Sequence, residues 1–308
     1  MRFLITGGAG FLGAALANRL AQDGHTVRVL DDLSNGHRHY LEPQIAFTQG
    51  DVSNVPLLWS LLQEVDCVYH LAARVSVAQS ILYPRDYNAV NVGGTVSLME
   101  AVRATGVRRL IFASSGAIYG AQKEQPVHET DMPHPDSPYA VSKWAAEQYV
   151  QTIGILSGIE TVILRIFNAY GPRQSLPASH APVVPRFLYQ VLTGGSVVIF
   201  GDGSQTRDYV YVQDVVNVLV SAAANRTATG QIFNIGSGQE ISLNQLTEAI
   251  STVTGQHVTP IYNRGKSGGV QRLVADISKA RLILGFTPHT SLVEGLRQIL
   301  AHDERFRL

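Results

Sequence analysis

The run TGGAGFLG, set between the apolar strand RFLIT and an amphipathic stretch that opens at Phe11, constrains this chain more than any other feature. Gly7, Gly10 and Gly13 fall where a strand turns into a helix. Missing side chains there permit a tight turn, close approach of a pyrophosphate and close packing of helix on strand. The start of such a helix offers free amides and the positive end of its dipole, both of which favour a phosphate. A glycine pattern alone is common in turns, but here strand, helix and second strand follow in the required order.

That second strand is one of a series. RFLIT, TVRVLD, IAFTQG, CVYHLA, RLIFAS and TVILRIF alternate with helical patterns near 11–23, 54–64, 88–104 and 138–157. Strands that are apolar on both faces, separated by amphipathic helices, predict an α/β fold with a doubly wound parallel sheet of the Rossmann kind. After Phe167 the pattern loosens into NAYGPRQSLPASHAPVVPRF, whose turn residues suit a loop over a site. A smaller mixed α/β substrate lobe is expected beyond it, with strands at SVVIFG and QIFNIG, a strand-helix unit near 209–224, and helices near 242–253 and 291–303. The expected division is a dinucleotide-binding domain at 1–167, with a later return near 209–236, and a mainly substrate-binding lobe at 168–308.

Composition narrows the function. With 308 residues, 45% of them hydrophobic, the chain can bury a large core without covalent staples. Its 24 basic and 24 acidic residues cancel, so no global field draws it to nucleic acid or to an anionic membrane. The single cysteine, Cys67, excludes an intramolecular disulfide and a cysteine-cluster metal site, and its apolar surroundings suit a reduced, buried thiol. His70, His134 and His180 lack metal-ligand spacing and read as structural or loop residues, so no metal is expected. Trp59 and Trp144 read as packing residues. No run approaches about 18 apolar residues and no leader pattern precedes the first strand, so a cytoplasmic protein without a membrane partner is expected.

TVRVLD ends at Asp31, about 20 residues beyond the glycines, where a carboxylate accepts ribose hydroxyls and repels a 2′-phosphate. NAD is favoured over NADP on that ground. Asp51, in GDV, can hold an adenine edge or cap a turn. Tyr139 and Lys143 lie four apart in YAVSK, which places both on one helix face. An ammonium and a cationic nicotinamide ring both favour the phenolate, moving a tyrosine of ordinary pKa roughly 10 toward use as a general base. Ser115, ending the strand RLIFASS, is placed to hold the same substrate oxygen. Singly, these residues read as helix neighbours and strand-end caps; together they converge where open α/β sheets bind ligands.

With these residues in view, the chain resembles the extended short-chain dehydrogenase/reductase family, in particular its nucleotide-sugar epimerases of the UDP-glucose 4-epimerase type. The likeness runs through TGGAGFLG, LDDLSNG, GDV, HLAA, NVGGT, SSGAIYG, YAVSK, RIFNAYGPRQ, TRDYVYVQD and VADISKA. It implies NAD contacts from Gly7, Gly10, Gly13, Asp31, Asn35, Asp51, Val52, Ala72, Asn91, Tyr139 and Lys143, with Phe11 and Leu12 lining the pyrophosphate turn. Ser115 and Tyr139 are then catalytic, with Lys143 acting on Tyr139. Relatives that dehydrate a sugar carry an Asp-Glu pair where this chain has Gly116 and Ala117, and decarboxylases usually keep the glutamate. Uronate epimerases often have threonine at the position of Asn168 and arginine at that of Ser175. The implied reaction is epimerisation at C4 of a nucleotide sugar such as UDP-glucose through a 4-keto intermediate. The helices near 88–104 and 138–157 resemble the pair through which family members form homodimers.

On the substrate side, Asn168, Arg186 and Arg207 are candidates for gripping a nucleoside diphosphate. For Arg207 the competing reading is a surface pair with Asp202 or Asp208. Where the family has an arginine, a glycine and a carboxylate, this chain reads KSGGV, so Lys266 replaces a fork by a point charge and Gly269 removes a ribose acceptor. Three other readings stay open: a net 4-keto-sugar reductase or dehydrogenase, a UDP-uronate 4-epimerase, and a non-catalytic module that senses NAD.

Overall fold

The computed structural model describes residues 1–177, 180–265 and 269–307. Its centre is a seven-stranded parallel sheet. In chain order the strands are β1 (Arg2–Thr6), β2 (Thr26–Asp31), β3 (Ala46–Gln49), β4 (Cys67–His70), β5 (Arg109–Ser115) and β6 (Glu160–Ile166). Spatially the order is 3-2-1-4-5-6 from one edge, and the strand Gln231–Ile235 closes the other edge beside β6. This doubly wound sheet reverses direction between β1 and β4, which opens a crevice at the carboxyl ends of both strands.

Side chains of β1 alternate between two cores. Phe3 and Ile5 pack with α1 (Phe11–Gln22), whose Leu16, Ala17 and Leu20 are buried. Leu4 faces the other way, into a core shared with α2 (Val55–Leu61) and two later helices. Between β4 and those helices lie α3 (Val77–Leu82), α4 (Pro84–Tyr87) and a π-helical stretch over Asn88–Gly94. The predicted helix at 88–104 is thus split: its first half is wound wider, and only α5 (Thr95–Thr105) is α-helical. The 20-residue α6 (Pro138–Ser157) lies beside α5 and, with it, covers the sheet. It starts where Ser137 accepts the Ala140 amide and Pro138 occupies the first turn, and it stops at Gly158 with φ +67°.

Beyond β6 the chain forms β7 (Asn168–Tyr170), α7 (Val183–Leu192), β8 (Val198–Phe200), β9 (Thr206–Arg207) and β10 (Tyr209–Tyr211). Then come α8 (Val212–Ala224), β11 (Gln231–Ile235), β12 (Ile241–Ser242), α9 (Leu243–Thr254) and β13 (Ile261–Asn263), followed by α10 (Ser278–Leu284) and α11 (Leu292–His302). The proline-bearing segment after Phe167 is a loop only in part. It begins as β7, paired with β10, and ends in α7, where Pro185 lies in the first turn and Phe187 and Leu188 enter the core. Cys67 is buried and unpaired, and burial pushes its thiol up to about 12. Trp144 packs against the core as expected, whereas Trp59 stands 48% exposed on α2, because the buried face of that short helix is taken by Leu58.

Candidate active site

The crevice at the carboxyl ends of β1, β2, β4 and β5 is a cavity of about 330 Å³. Gly7, Gly10, Phe11, Leu12, Gly13, Asp31, Asn35, Asp51, Val52, Ala72, Ser115, Tyr139 and Lys143 all line it. Gly7 and Gly13 are there because nothing larger fits. Gly7 has φ +69°, and a Cβ on Gly13 would come within 2.1 Å of the Gly7 carbonyl. Gly10 forms the N-cap of α1 without any side-chain cap, so the first turn of the helix is left open to an anion. These features fit a dinucleotide pyrophosphate.

Asp31 stands at the end of β2. Its Oδ2 accepts the Ala9 amide at 2.9 Å and its Oδ1 the Leu33 amide at 2.8 Å. Burial pushes this carboxyl up, while the amides of Leu33 and Ala9 pull it down. A carboxylate accepting one bond per oxygen keeps further lone pairs for ribose hydroxyls. Asp51 both caps its turn, accepting the Ser53 amide at 2.7 Å, and lines the cavity. Asn91 does not line the cavity. It is turned beneath it, where its side chain accepts from the Arg74 amide at 2.8 Å and donates to the Arg74 carbonyl and to Ser142 Oγ. Its contribution is to hold the 72–75 segment that forms one wall.

Tyr139 and Lys143 project from the first turns of α6 and are both buried. The Ser115 hydroxyl pulls the Tyr139 phenol down, but burial dominates and pushes it above its ordinary value. The expected pull of an adjacent ammonium is not what sets Tyr139 here. Burial has lowered Lys143 to about 7, opposed by the charge of Glu147, and its Nζ sits 4.3 Å from the centre of the Phe112 ring. Ser115 Oγ also accepts the Ala117 amide at 3.2 Å, so the serine ends its strand and faces the cavity at once. Gly116 is buried, and a Cβ there would meet the Phe167 ring at 3.0 Å. The carboxylates that line the cavity are Asp31, Asp32 and Asp51, all at or just past the ends of β2 and β3; among the described residues none stands beside Tyr139.

Beneath this floor His70 is clamped by Thr6 Oγ1 at 2.7 Å and Thr95 Oγ1 at 2.8 Å. Burial, helped by the charge of Lys143, lowers it to about 3, so it is a neutral structural imidazole. Among the described residues no cluster could hold a metal ion.

A second cavity of about 280 Å³ contains Asn168, Arg186 and Arg207. β7 runs between the two: Phe167 and Ala169 line the first, Asn168 the second. Arg207 pairs with neither Asp202 nor Asp208. Its Nη1 donates to the carbonyls of Thr206 and Val270, whereas Asp208 is spent on Ser237, Gly238 and Ala275. Beside it the Tyr209 hydroxyl is buried and has no hydrogen-bond partner among the described residues, an orphan that a polar ligand would satisfy. Lys266 lies outside the described residues.

Sequence reasoning missed Arg74 and Gln174, which also line the first cavity. Arg74 makes no ion pair among the described residues, and Gln174 buries an Oε1 without a partner. Arg74 follows HLAA and Gln174 ends RIFNAYGPRQ, but neither run shows which way the side chain turns, because both sit in loops whose direction is set by distant bonds.

Residues 3–236 match the family described as NAD dependent epimerase/dehydratase. The chain belongs to that family. NAD is accordingly its cofactor, and the glycine turn, Asp31 and the open start of α1 fit it. As a member of the epimerase/dehydratase family it resembles the UDP-glucose 4-epimerase of Mycolicibacterium smegmatis, 40% identical over 304 residues and covering 96% of both chains. Among solved structures, the UDP-glucose 4-epimerase of Thermotoga maritima with UDP-glucose superposes with a TM-score of 0.94 at 37% identity, over 98% of each chain. That of Thermus thermophilus in complex with NAD gives 0.89 at 35% identity, again over 98% of each. Among the described residues no helix is long and apolar enough to cross a membrane.

Proposed function

We propose that this chain is a 4-epimerase of a nucleotide-activated sugar, with UDP-glucose and UDP-galactose as the substrate pair. The observation that carries this reading is the cavity in which Ser115, Tyr139 and Lys143 converge while Gly116 and Ala117 bring no carboxylate. Elimination or decarboxylation needs an added acid or base at that point, and proton transfer to and from a hydroxyl does not. Bound NAD supplies the reversible two-electron acceptor for the sugar's C4 hydrogen. Tyr139 takes the C4 hydroxyl proton, and Ser115, which lines the cavity with it, holds the same oxygen in place. Lys143, lowered to about 7, donates to the ribose and the phenol when charged. The ketone turns over within the cavity before its oxygen takes the proton back from Tyr139. Arg207, Arg186 and the Tyr209 hydroxyl grip the nucleotide in the second cavity, with Asn168 at the junction.

In this reading residues 1–167, with a later return near 209–236, form the dinucleotide-binding domain, 168–308 is mainly the substrate-binding lobe, and Tyr209 at the start of the return faces the second cavity. The protein is cytoplasmic and works as a homodimer joined through α5 and α6, where Val141, Tyr149, Ile155 and Leu156 stand exposed. Light scattering on the purified protein tests the dimer.

The activity is tested by following ring protons by NMR while the protein is mixed with UDP, dTDP, GDP and CDP sugars. Either C4 isomer should give the same mixture without added oxidant. Tyr139→Phe should bind NAD normally and lose conversion by about 10²–10⁴-fold. Full conversion by that variant, or stoichiometric cofactor reduction with one oxidised product, would overturn the reading.

A further inference from the structure

Glu147 is fully buried one helical turn beyond Lys143, so Tyr139, Lys143 and Glu147 follow one another along the same face of α6. Its carboxylate is held from two strands. Oε1 accepts Arg165 Nη2 at 2.7 Å from β6, and Oε2 accepts Ser114 Oγ at 2.6 Å from β5. Arg165 is itself buried, and its Nη1 donates to Tyr119 Oη at 2.8 Å and to the Glu129 carbonyl at 3.1 Å. Tyr119 in turn donates to Asn234 Oδ1 at 2.7 Å, on β11. Of these groups only Ser114 lines the cavity, and the next residue is Ser115. A buried ion pair of this kind gives little net stability over apolar packing, because desolvation offsets much of the attraction. What this pair does provide is a fixed distance between the strand end that carries Ser115 and the helix that carries Tyr139.

We propose that Glu147 is a positioning residue for the proton-transfer set: through Ser114 it locks the end of β5 against α6, and along α6 it faces the Lys143 ammonium. The inference rests on the reading of Tyr139 as the acid-base group. Lys143 is faced by Glu147 and Tyr139 from its own helix, by neutral His70 from β4 and by the Phe112 ring from β5, so Glu147 is the anion that opposes its loss of charge on burial. Reacting groups misplaced by about 1 Å lose on the order of 10²-fold in rate, so a loosened strand end is felt in turnover before it is felt in binding.

The test compares Ser114→Ala, Ser114→Thr and Glu147→Gln in the NAD-loaded protein. Ser114→Ala should lower kcat by about tenfold or more with KM and NAD affinity unchanged, and Ser114→Thr, which restores the hydroxyl, should recover the rate. A substrate-free readout accompanies it: the Lys143 side-chain carbon resonance, assigned by its loss in Lys143→Arg, is titrated by NMR. Glu147→Gln should move that titration down by about one pH unit. Because Glu147→Gln strands Arg165 and can compromise folding, the serine pair carries the result if that variant is lost. Wild-type turnover in Ser114→Ala alongside an inactive Tyr139→Phe would overturn the positioning role alone. A fully active Tyr139→Phe would overturn the reading beneath it, and an unmoved Lys143 titration in folded Glu147→Gln would remove the electrostatic part.

Discussion

The Lys143 ammonium lies 4.3 Å from the centre of the Phe112 ring, inside a buried layer where the ring face is its main favourable contact besides Glu147. The lysine is thus held at a cost to folding. Its folded value of about 7 lies far below the ordinary 10.5, so between the two the unfolded chain binds more protons than the folded one. Stability contributed by this group is full above 10.5 and is lost as pH falls toward 7. Lys143→Met should therefore raise the neutral-pH stability by about 1–2 kcal/mol while abolishing turnover. Thermal unfolding beside the conversion assay checks both halves; a destabilised Lys143→Met would show that the charge is fully compensated.

His70 gives a test of the same sign at lower pH. It is lowered from 6.5 to about 3 between Thr6 and Thr95, so its contribution is complete above 6.5 and disappears as pH falls through 3. Chemical unfolding followed from pH 7 downward should show stability declining through this window. His70→Gln, which keeps hydrogen-bonding capacity without a titrating ring, should show a flatter decline. Equal slopes in the two proteins would mean that other groups carry the acid sensitivity.

Packing opposes the first member of the missing acid-base pair, at Gly116. A Cβ at 116 meets the Phe167 ring at 3.0 Å, so a side chain there needs an aromatic group that lines the cavity to give slightly. Installing Gly116→Asp with Ala117→Glu should destabilise the protein by about 1–3 kcal/mol and yield no dehydrated sugar. Mass spectrometry for loss of water from the nucleotide sugar decides it; clear elimination by this double variant would show that the pair alone is sufficient.

Much of the site was legible because its signals are local. The glycine spacing of TGGAGFLG, the strand-end position of Asp31 and the four-residue step from Tyr139 to Lys143 each follow from backbone geometry within a few residues, and all line one cavity. Glu147 lies a further four residues along the same face, yet its spacing could not distinguish a buried anion from a surface one. Its meaning comes from Arg165 and Ser114, brought beside it by the pairing of β5 with β6. Asn91 is a similar case: its side chain turns to Arg74 rather than to the cavity because the backbone is wound as a π-helix there.

The sequence by itself determined the alternating α/β order, the nucleotide turn and the Ser115, Tyr139 and Lys143 set, since periodicity and short spacings are written along the chain. Only the tertiary structure decided that β11 completes the sheet beside β6, that β7 separates two cavities, and that burial rather than a neighbouring charge sets Tyr139 and Lys143. The physical reason is that desolvation and hydrogen-bond satisfaction depend on which distant segments share a volume, and that is settled only when the whole chain packs.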